Sequence, residues 1–444
     1  MLIKSSEYDT DYPDKYLEKY NIAKLAGYPD CHIYLVQYLM KEIREKGRYC
    51  DGYELPSQYK QLVEKYYEAY CYANNHQYVQ GVQTLSDAII EFTIVSPILQ
   101  EYQLLMSQIK IKSIDVVERN EAVMLLSYNA EDFQIDEYLR YRLETRKISA
   151  YIHNGAYGKA REQCKKTVDR LICSVKNTHS PGSEYYLNII YRKYCNIHPY
   201  ESSGAAIKNS VAFFSKNQEY VRAYYIALNN ELALELINGE TEKAVFTSKR
   251  IARLNEENFS ICFPRQELMK NNMLILELVN NNFKVSPELI TRFCMLRDSI
   301  QSADKIFVSS NLALVYALAG NLDTAIDILQ NEYDKIKTTL DHEGVYIYRI
   351  KCNLAVIQFV KDNSAREKSL ILLRSIDLST DDPHYSDRNK ELLLLKKTME
   401  ELHECDSVKK WMSEYQQRVD SPKNYYCLYE CGLVFTTLFD WDDE

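Results

Sequence analysis

Histidine and cysteine are the residues of this chain whose chemistry is easiest to recognise, and their spacing forms no known catalytic motif. The chain has 8 histidines and 12 cysteines. His-Glu-Cys at 403–405 and His-Glu at 342–343 resemble fragments of zinc sites, but the complete sequence His-Glu-x-x-His does not occur. Cys427 and Cys431 have a spacing that can hold a metal on a helix, yet no second pair completes a set of ligands. The sequence therefore predicts no metal site.

Two other kinds of catalytic pattern are also missing. Cradling a phosphate needs clustered glycines, and none of the 12 glycines forms GxxxxGK or GxGxxG. The paired carboxylates at 381–382 and 442–443 are better explained as solvated loop and tail residues than as an acid and a base. We therefore expect no catalytic residue and no cofactor. An enzyme with an unrecognised site, such as a cysteine and a histidine that meet only in space, stays open as an alternative.

Composition indicates a chain that folds into helices. Of its 444 residues 46% are hydrophobic, while glycine (12) and proline (10) are scarce, which disfavours a fold made of many strands and tight turns. The net charge of -9 argues against a nucleic-acid partner, since such binding is electrostatic. No signal peptide and no apolar run of about 18 residues is present. We expect a cytoplasmic protein with reduced cysteines and no membrane partner.

The stretch from Asn311 to Gln330 is the clearest copy of a unit that recurs along the chain. It predicts a helix, a break at Gly320-Asn321 and a second helix, with small residues where two helices touch. Looser copies share a break followed by a small residue, and the period is about 40 residues. The small residues are Gly81, Ala122, Ala160, Ala206, Ala244 and Ala325. The alternative is an irregular helical bundle in which such turns recur by chance.

Four regions follow from this pattern. Residues 1–56 form an N-terminal helical cap, which is polar and broken up to residue 30 and contains an amphipathic helix over 31–45. Residues 57–372 form the repeat array. Residues 373–420 contribute two further helices, over 388–403 and 406–418. Residues 421–444 are an apolar and acidic tail for which we expect no helix.

This unit resembles the tetratricopeptide repeat. The best match covers residues 305–338, and weaker matches cover 141–170 and 225–250. In the best match the residues on the family's packing pattern are Leu312, Ala313, Tyr316, Gly320, Ala325 and Leu329. The period here is longer than the family's, Ser309 stands where the family has tryptophan, and Lys337 stands where it has proline. The resemblance implies an all-α solenoid of stacked antiparallel helix pairs whose first helices line a concave groove.

The resemblance also implies which side chains lie on or near that groove. They are Arg142, Arg146, Asn229, Asn230, Asn311, Arg349 and Asn353. Asparagine can bond both the N–H and the C=O of an extended peptide, and arginine can hold a carboxylate with two N–H groups. These residue types predict a peptide or an acidic segment as the ligand.

The tail carries its own set of candidate contact residues. They are Phe435, Leu438, Phe439 and Trp441. The tail can cover the open apolar face of the last repeat, or it can anchor a partner, whereas its apolar content argues against disorder.

We expect a non-enzymatic adaptor, sensor or regulatory subunit that binds a protein or peptide and passes the event to a separate effector subunit. The first alternative is a peptide-gated signalling regulator whose array closes on a small ligand. The second alternative is the enzyme described above. A bacterial regulatory or defence system is the setting we consider, although no residue establishes it.

Overall fold

The computed structural model describes residues 14–418, apart from 48, 51, 76, 113–115, 128–136, 179–180, 199, 218–219, 259–262, 264, 301–303, 340–344, 379 and 403–404. This part of the chain is all-α and contains no β-strand. The expected fold class is confirmed at this level. None of the helices described is long and apolar enough to cross a membrane.

The helices follow one another in pairs joined by short connections. The first half of the array comprises α1 (Asp14–Leu25), α2 (His32–Lys46), α3 (Ser57–Asn74), α4 (Tyr78–Glu91), α5 (Ser96–Lys110), α6 (Val116–Ser127), α7 (Glu137–His153), α8 (Tyr157–Thr178), α9 (Pro181–Arg192), α10 (Tyr194–Ile197) and α11 (Tyr200–Lys216). The second half comprises α12 (Val221–Ile237), α13 (Thr241–Glu257), α14 (Gln266–Asn280), α15 (Pro287–Ser299), α16 (Lys305–Leu318), α17 (Leu322–Thr339), α18 (Val345–Lys361), α19 (Arg366–Arg374), α20 (Tyr385–Glu401) and α21 (Val408–Gln416).

Helices predicted outside the repeats are present with small shifts, and one helix was not expected. The bounds of α2, α20 and α21 differ from the predicted ones by one to three residues. By contrast, α1 occupies a segment for which the sequence predicted a broken, polar chain. Its buried side chains are Tyr16, Tyr20 and Ala23, spaced as on one helix face. Tyrosine rings form this apolar face. Because tyrosine was counted as a polar residue, the sequence pattern did not indicate a helix here.

Three helix pairs turn on the same glycine motif. Gly155, Gly239 and Gly320 have φ of 67°, 66° and 87°, a left-handed conformation that residues with a Cβ adopt at a cost. In the last of these turns Gly320 N–H donates to the Ala317 carbonyl (3.0 Å) and Asn321 N–H donates to the Tyr316 carbonyl (2.9 Å). These bonds satisfy carbonyls at the end of α16, and the break predicted there is present.

The small residue after each glycine turn is fully buried. Ala160, Ala244 and Ala325 have no exposed surface, and each lies on the second helix of its pair. A methyl group at this position lets the backbones of the two helices approach closely. The strong packing between the helices of one pair follows from this contact.

The helices form two rows. We call α2, α5, α7, α9, α12, α14, α16 and α18 the inner helices, because each contacts the next member of the row. In α12 all side chains are buried except Val221, Tyr224 and Glu231, and in α16 all except Lys305 and Tyr316. The second helices of the pairs, such as α13 and α17, keep one exposed face. The inner helices are therefore enclosed, and the outer ones carry the solvent surface.

The array curves far enough for distant helices to touch. Arg222, at the start of α12, donates to the Arg44 carbonyl at the end of α2 and to the Tyr70 hydroxyl (3.0 Å) on α3. On α8, Arg161 donates to the Asp381 carbonyl (3.0 Å) ahead of α20. These contacts join residues 178 and 220 positions apart. We call them the closing contacts, since they join one stretch of the curved array to another.

Replacing Gly320 with alanine should destabilise the array. Alanine at a positive φ costs about 1 kcal/mol relative to glycine. We expect Gly320→Ala to lower the free energy of unfolding in urea by about that amount. Gly52→Ala is the matched control, because Gly52 has ordinary φ and open space around its Cβ position. Equal losses in the two variants would contradict the role of the left-handed turn.

Candidate functional site

A series of polar side chains crosses each contact between successive inner helices, and we call it the polar ladder. Its members are buried in helices whose other residues are mostly apolar. They are Arg44 on α2, Glu101 on α5, Arg142 and Ser149 on α7, Arg192 and Lys193 at the end of α9, Asn229 and Asn230 on α12, Asn271 and Asn272 on α14, Ser310 and Asn311 on α16, and Asn353 on α18.

The ladder begins with an ionic cluster. Glu101 is fully buried and lies between two guanidinium groups: Arg44 and Arg142 each donate to its carboxylate at 2.7 Å. Burial by itself works to raise the pKa of Glu101, but the attraction of Arg142 and Arg44 outweighs it and holds the pKa below its ordinary value. Glu101 is therefore a carboxylate that links α2, α5 and α7.

The next two contacts lead to α12. Lys193 Nζ donates to the Ser149 hydroxyl (2.6 Å), which joins the end of α9 to α7. Asn230 Nδ2 donates to the Arg192 carbonyl (3.1 Å), which joins α12 to α9. Asn229 Nδ2 donates to Asn230 Oδ1 (3.3 Å), so the two amides of α12 act as one unit.

Amide side chains continue the ladder to α18. Asn272 Nδ2 donates to Asn229 Oδ1 (2.9 Å), and Asn271 Nδ2 donates to Asn272 Oδ1 (3.3 Å). Asn311 Nδ2 in turn donates to Asn271 Oδ1 (2.9 Å). On the last step Asn353 Nδ2 donates to the Ser310 hydroxyl (3.0 Å). In the four bonds from Asn230, Asn272, Asn311 and Asn353 the donor belongs to the later helix.

Burial explains why these positions carry amides that face one another. A buried primary amide without a hydrogen-bond partner costs about 1–3 kcal/mol. An asparagine across the interface satisfies it, whereas a leucine would not. The ladder therefore fixes which face of each inner helix meets the next helix.

The seven groove residues predicted from the resemblance all lie on inner helices, and each is no more than 6% exposed. Five belong to the ladder itself: Arg142, Asn229, Asn230, Asn311 and Asn353. Their contact with a ligand stays a prediction.

The other two predicted residues are buried basic side chains. Arg146 lies on the face of α7 that also carries Arg142 and Ser149, because successive members of this set are four and three residues apart, about one helical turn. Arg349 lies on α18 over the ring of Phe307, 5.5 Å from its centre. The inner side of the array is therefore both amide-rich and basic.

Several ladder residues were not among the candidates that the sequence predicted. They are Arg44, Glu101, Ser149, Arg192, Lys193, Asn271, Asn272 and Ser310. One sequence feature was available: the pair Asn-Asn occurs at 229–230 and again at 271–272, each time inside an apolar helix. The ionic residues had no such feature, since Arg44 and Glu101 meet only in space. The predicted tail contacts Phe435, Leu438, Phe439 and Trp441 lie outside the described residues.

Two buried thiols, those of Cys164 and Cys352, have the wrong electrostatics for nucleophilic catalysis. Burial raises the pKa of Cys164 to about 12, and the nearby Lys193 only partly offsets this. Burial likewise raises the pKa of Cys352 well above its ordinary value. A thiol needs a lowered pKa to act as a nucleophile near neutral pH. These two cysteines behave as small apolar residues of the core.

Comparison with known proteins assigns no family, because no family model, no curated protein and no solved structure matches this chain. The class that the fold defines is an all-α, repeat-like helical array with a buried polar ladder.

Glu235 on α12 makes stability depend on pH. Burial raises its pKa to about 7, and the carboxylates of Glu231 and Glu240 add to the increase. A carboxyl with a raised pKa stabilises the fold when protonated, so its contribution is complete below its unfolded pKa. That contribution is lost as pH rises toward 7. We expect Glu235→Gln to raise the free energy of unfolding by about 1–2 kcal/mol near pH 8 and by little near pH 4.

The measurement is urea unfolding of both proteins at the two pH values. Glu256→Gln is the control, because Glu256 is exposed at the end of α13 and should change stability little at either pH. A Glu235→Gln gain that is the same at both pH values would show that titration of Glu235 is not its cause.

Proposed function

We propose that this chain is a non-enzymatic, tetratricopeptide-like repeat protein that binds an extended protein or peptide segment along its inner helices. It would act in the cytoplasm as an adaptor, sensor or regulatory subunit of a separate effector. The polar ladder is the observation that carries the proposal.

The chemistry of the ladder matches that of a peptide backbone. A primary amide offers the same N–H donor and C=O acceptor as a peptide bond, so ladder amides can exchange a bond with one another for a bond with an extended chain. Adjacent packed helices are about 8–10 Å apart, and an extended strand advances about 3.4 Å per residue. Each step of the ladder would then meet about every third residue of the ligand.

Buried charge adds a preference for acidic ligands. The buried basic side chains of α7, α9, α12 and α18 are Arg142, Arg146, Arg192, Arg222, Arg349 and Lys351. The buried acidic side chains of the same helices are Glu144 and Glu235. Arg142 among them is paired with Glu101 on α5, and the proposed preference rests on the ability of arginine to hold a carboxylate with two N–H groups.

The closing contacts favour a second function, the peptide-gated regulator. The ladder residues are enclosed, so a ligand reaches them only when the array opens. Arg222 and Arg161 hold the closed form through a small number of hydrogen bonds, and each such bond contributes about 1 kcal/mol. A ligand that prefers one form can therefore shift the equilibrium and pass the change to an effector. An enzyme that uses Cys164 or Cys352 as its nucleophile has less support, because burial raises the pKa of both thiols.

The test is affinity purification from the native host with quantitative mass spectrometry. The bait is the full chain as wild type, as the double variant Asn271→Ala/Asn311→Ala and as the control Lys270→Ala. Lys270 is exposed on the same helix as Asn271. A partner captured by the wild type and the control, and reduced about 10-fold by the ladder variant, would support the proposal.

Two results would contradict it. A partner that all three baits retain equally binds elsewhere on the chain. If no bait retains a protein while circular dichroism shows all three folded, an interaction role fails, and a small ligand or an activity becomes the question.

Removing a closing contact should make the array open more often. Arg222→Ala loses the bonds to the Arg44 carbonyl and to Tyr70, worth about 1–3 kcal/mol. We expect amide hydrogen exchange to become about 10-fold faster at the end of α2 and the start of α12. Arg253→Ala is the control, because Arg253 is exposed and bonds only Glu257 one turn away on α13. Unchanged exchange in Arg222→Ala would remove the basis for the gated form.

A further inference from the structure

The N-terminal end of α8 makes the closing contact with the segment that precedes α20. Arg161 donates to the Asp381 carbonyl (3.0 Å), and its guanidinium also lies 4.0 Å from the Asp381 carboxylate. A Cβ atom on Gly158 would lie 3.6 Å from Oδ2 of the same carboxylate. Asp381 therefore faces α8 at two positions, and one of them carries a cation.

We call residues 380–384 the strap, because they reach from α20 to α8. The Asp382 carboxylate shapes the strap, since it accepts the backbone N–H of His384 (2.8 Å) and a bond from the Arg388 guanidinium. That guanidinium lies over the Tyr348 ring of α18, 5.9 Å from its centre. These bonds do not involve α8, so the strap retains them when α8 moves away.

One part of the contact is insensitive to salt, and another part depends on it. Tyr157, the first residue of α8, is half-buried near Asp382, and burial together with that carboxylate raises the pKa of its hydroxyl to about 12. The neutral ring makes a contact that salt does not screen. By contrast, the side chains of Arg161 and Asp381 are 34% and 69% exposed. Such an ion pair changes an equilibrium constant by at most about 5-fold, and salt screens it.

The other closing contact has different chemistry. Arg222 is 8% exposed, and it donates to two neutral acceptors, the Arg44 carbonyl and the Tyr70 hydroxyl. Salt screens exposed charges strongly and buried groups much less. Higher ionic strength should therefore weaken the strap contact and leave the Arg222 contact largely unchanged.

From this difference we propose that the strap contact is a charge-operated latch on the array. Attraction between Arg161 and Asp381 keeps α8 against the strap, and high salt or a negative charge beside Asp381 releases it while the Arg222 contact stays in place. The latch itself does not depend on the proposed function. Its regulatory role rests on that function, because the latch then sets how often the polar ladder opens to a ligand.

The experiment measures the distance between α8 and α20 in the full chain by single-molecule fluorescence energy transfer. Dyes are attached through unnatural amino acids at Lys165 and Lys390, which are exposed on the two helices. The open fraction is the fraction of molecules in which α8 has left the strap. In the wild type we expect it to increase between about 0.05 M and about 1 M salt, because the ion pair is screened.

Two substitutions at one position test the charge. We expect Gly158→Lys to lower the open fraction at low salt and Gly158→Glu to raise it, each by up to about 5-fold, because the new charge lies beside Asp381. The helix dipole predicts the opposite order for the stability of α8 itself, since glutamate is favourable at the start of a helix and lysine is not. The direction of the change therefore separates a latch from an effect on α8 alone.

Glu242→Lys is the matched control. Glu242 is exposed and is the second residue of α13, as Gly158 is the second residue of α8. The control places a lysine at the same point of a helix that does not meet the strap. We expect it to leave the distance between α8 and α20 unchanged.

The inference is wrong if the open fraction of the wild type is independent of salt, or if Gly158→Lys and Gly158→Glu have the same open fraction. Asp381→Lys gives a second measurement in case circular dichroism shows that a Gly158 variant is unfolded. Asp381 is an exposed loop residue, and a lysine there repels Arg161. Its open fraction should exceed that of the wild type at low salt, and equal fractions would also contradict the latch.

These outcomes are distinct from those of the proposed function, because the distance is measured without any partner. If salt and charge change the open fraction while partner capture does not depend on the ladder, the latch stands and the proposed function fails. If they leave the open fraction unchanged while the ladder variant loses its partner, the latch fails and the proposed function stands.

Discussion

The hydrogen bond between buried amides of neighbouring inner helices is the constraint on which this array depends. Hydrophobic burial can hold two helices together at many rotations, because apolar contact has no direction. An amide in the same interface allows one arrangement, since a buried amide without a partner costs about 1–3 kcal/mol. Asn229 with Asn272, and Asn271 with Asn311, therefore set the register of α12, α14 and α16. The small buried alanines and glycine turns then fix how each outer helix folds back.

The row of stacked helices also curves. Each inner helix contacts the next, and the curvature along the row brings distant parts of the chain together. Arg222 reaches α2, and Arg161 reaches the loop before α20, after 178 and 220 residues. The closing contacts lie where these distant stretches of the chain meet.

Sequence alone predicted the all-α fold class, the helix pair around Gly320 and the three helices whose bounds were given outside the repeats, because apolar periodicity and the Gly-to-Ala spacing are local features. Gly320 and Ala325 occupy the turn and the helix contact assigned to them. α1 was missed because its apolar face is built from tyrosines. The resemblance predicted that Arg142 and Asn353 lie on a ligand-binding groove, which stays a prediction; their burial between neighbouring helices depends on packing that the sequence pattern does not show. The bond between Arg44 and Glu101 could not be predicted from the sequence, because residues 57 positions apart meet only after folding.

The hydrogen bonds donated by the ladder amides also share one direction along the array. Asn353, Asn311, Asn272 and Asn230 each donate toward the N-terminal end of the array. If Asn272 rotated its amide by half a turn, its N–H would face the N–H of Asn271 and its oxygen would face the oxygen of Asn229. The bonds that run from Asn311 through Asn271, Asn272 and Asn229 to Asn230 therefore form one continuous series with a common direction, in which each bond polarises the next.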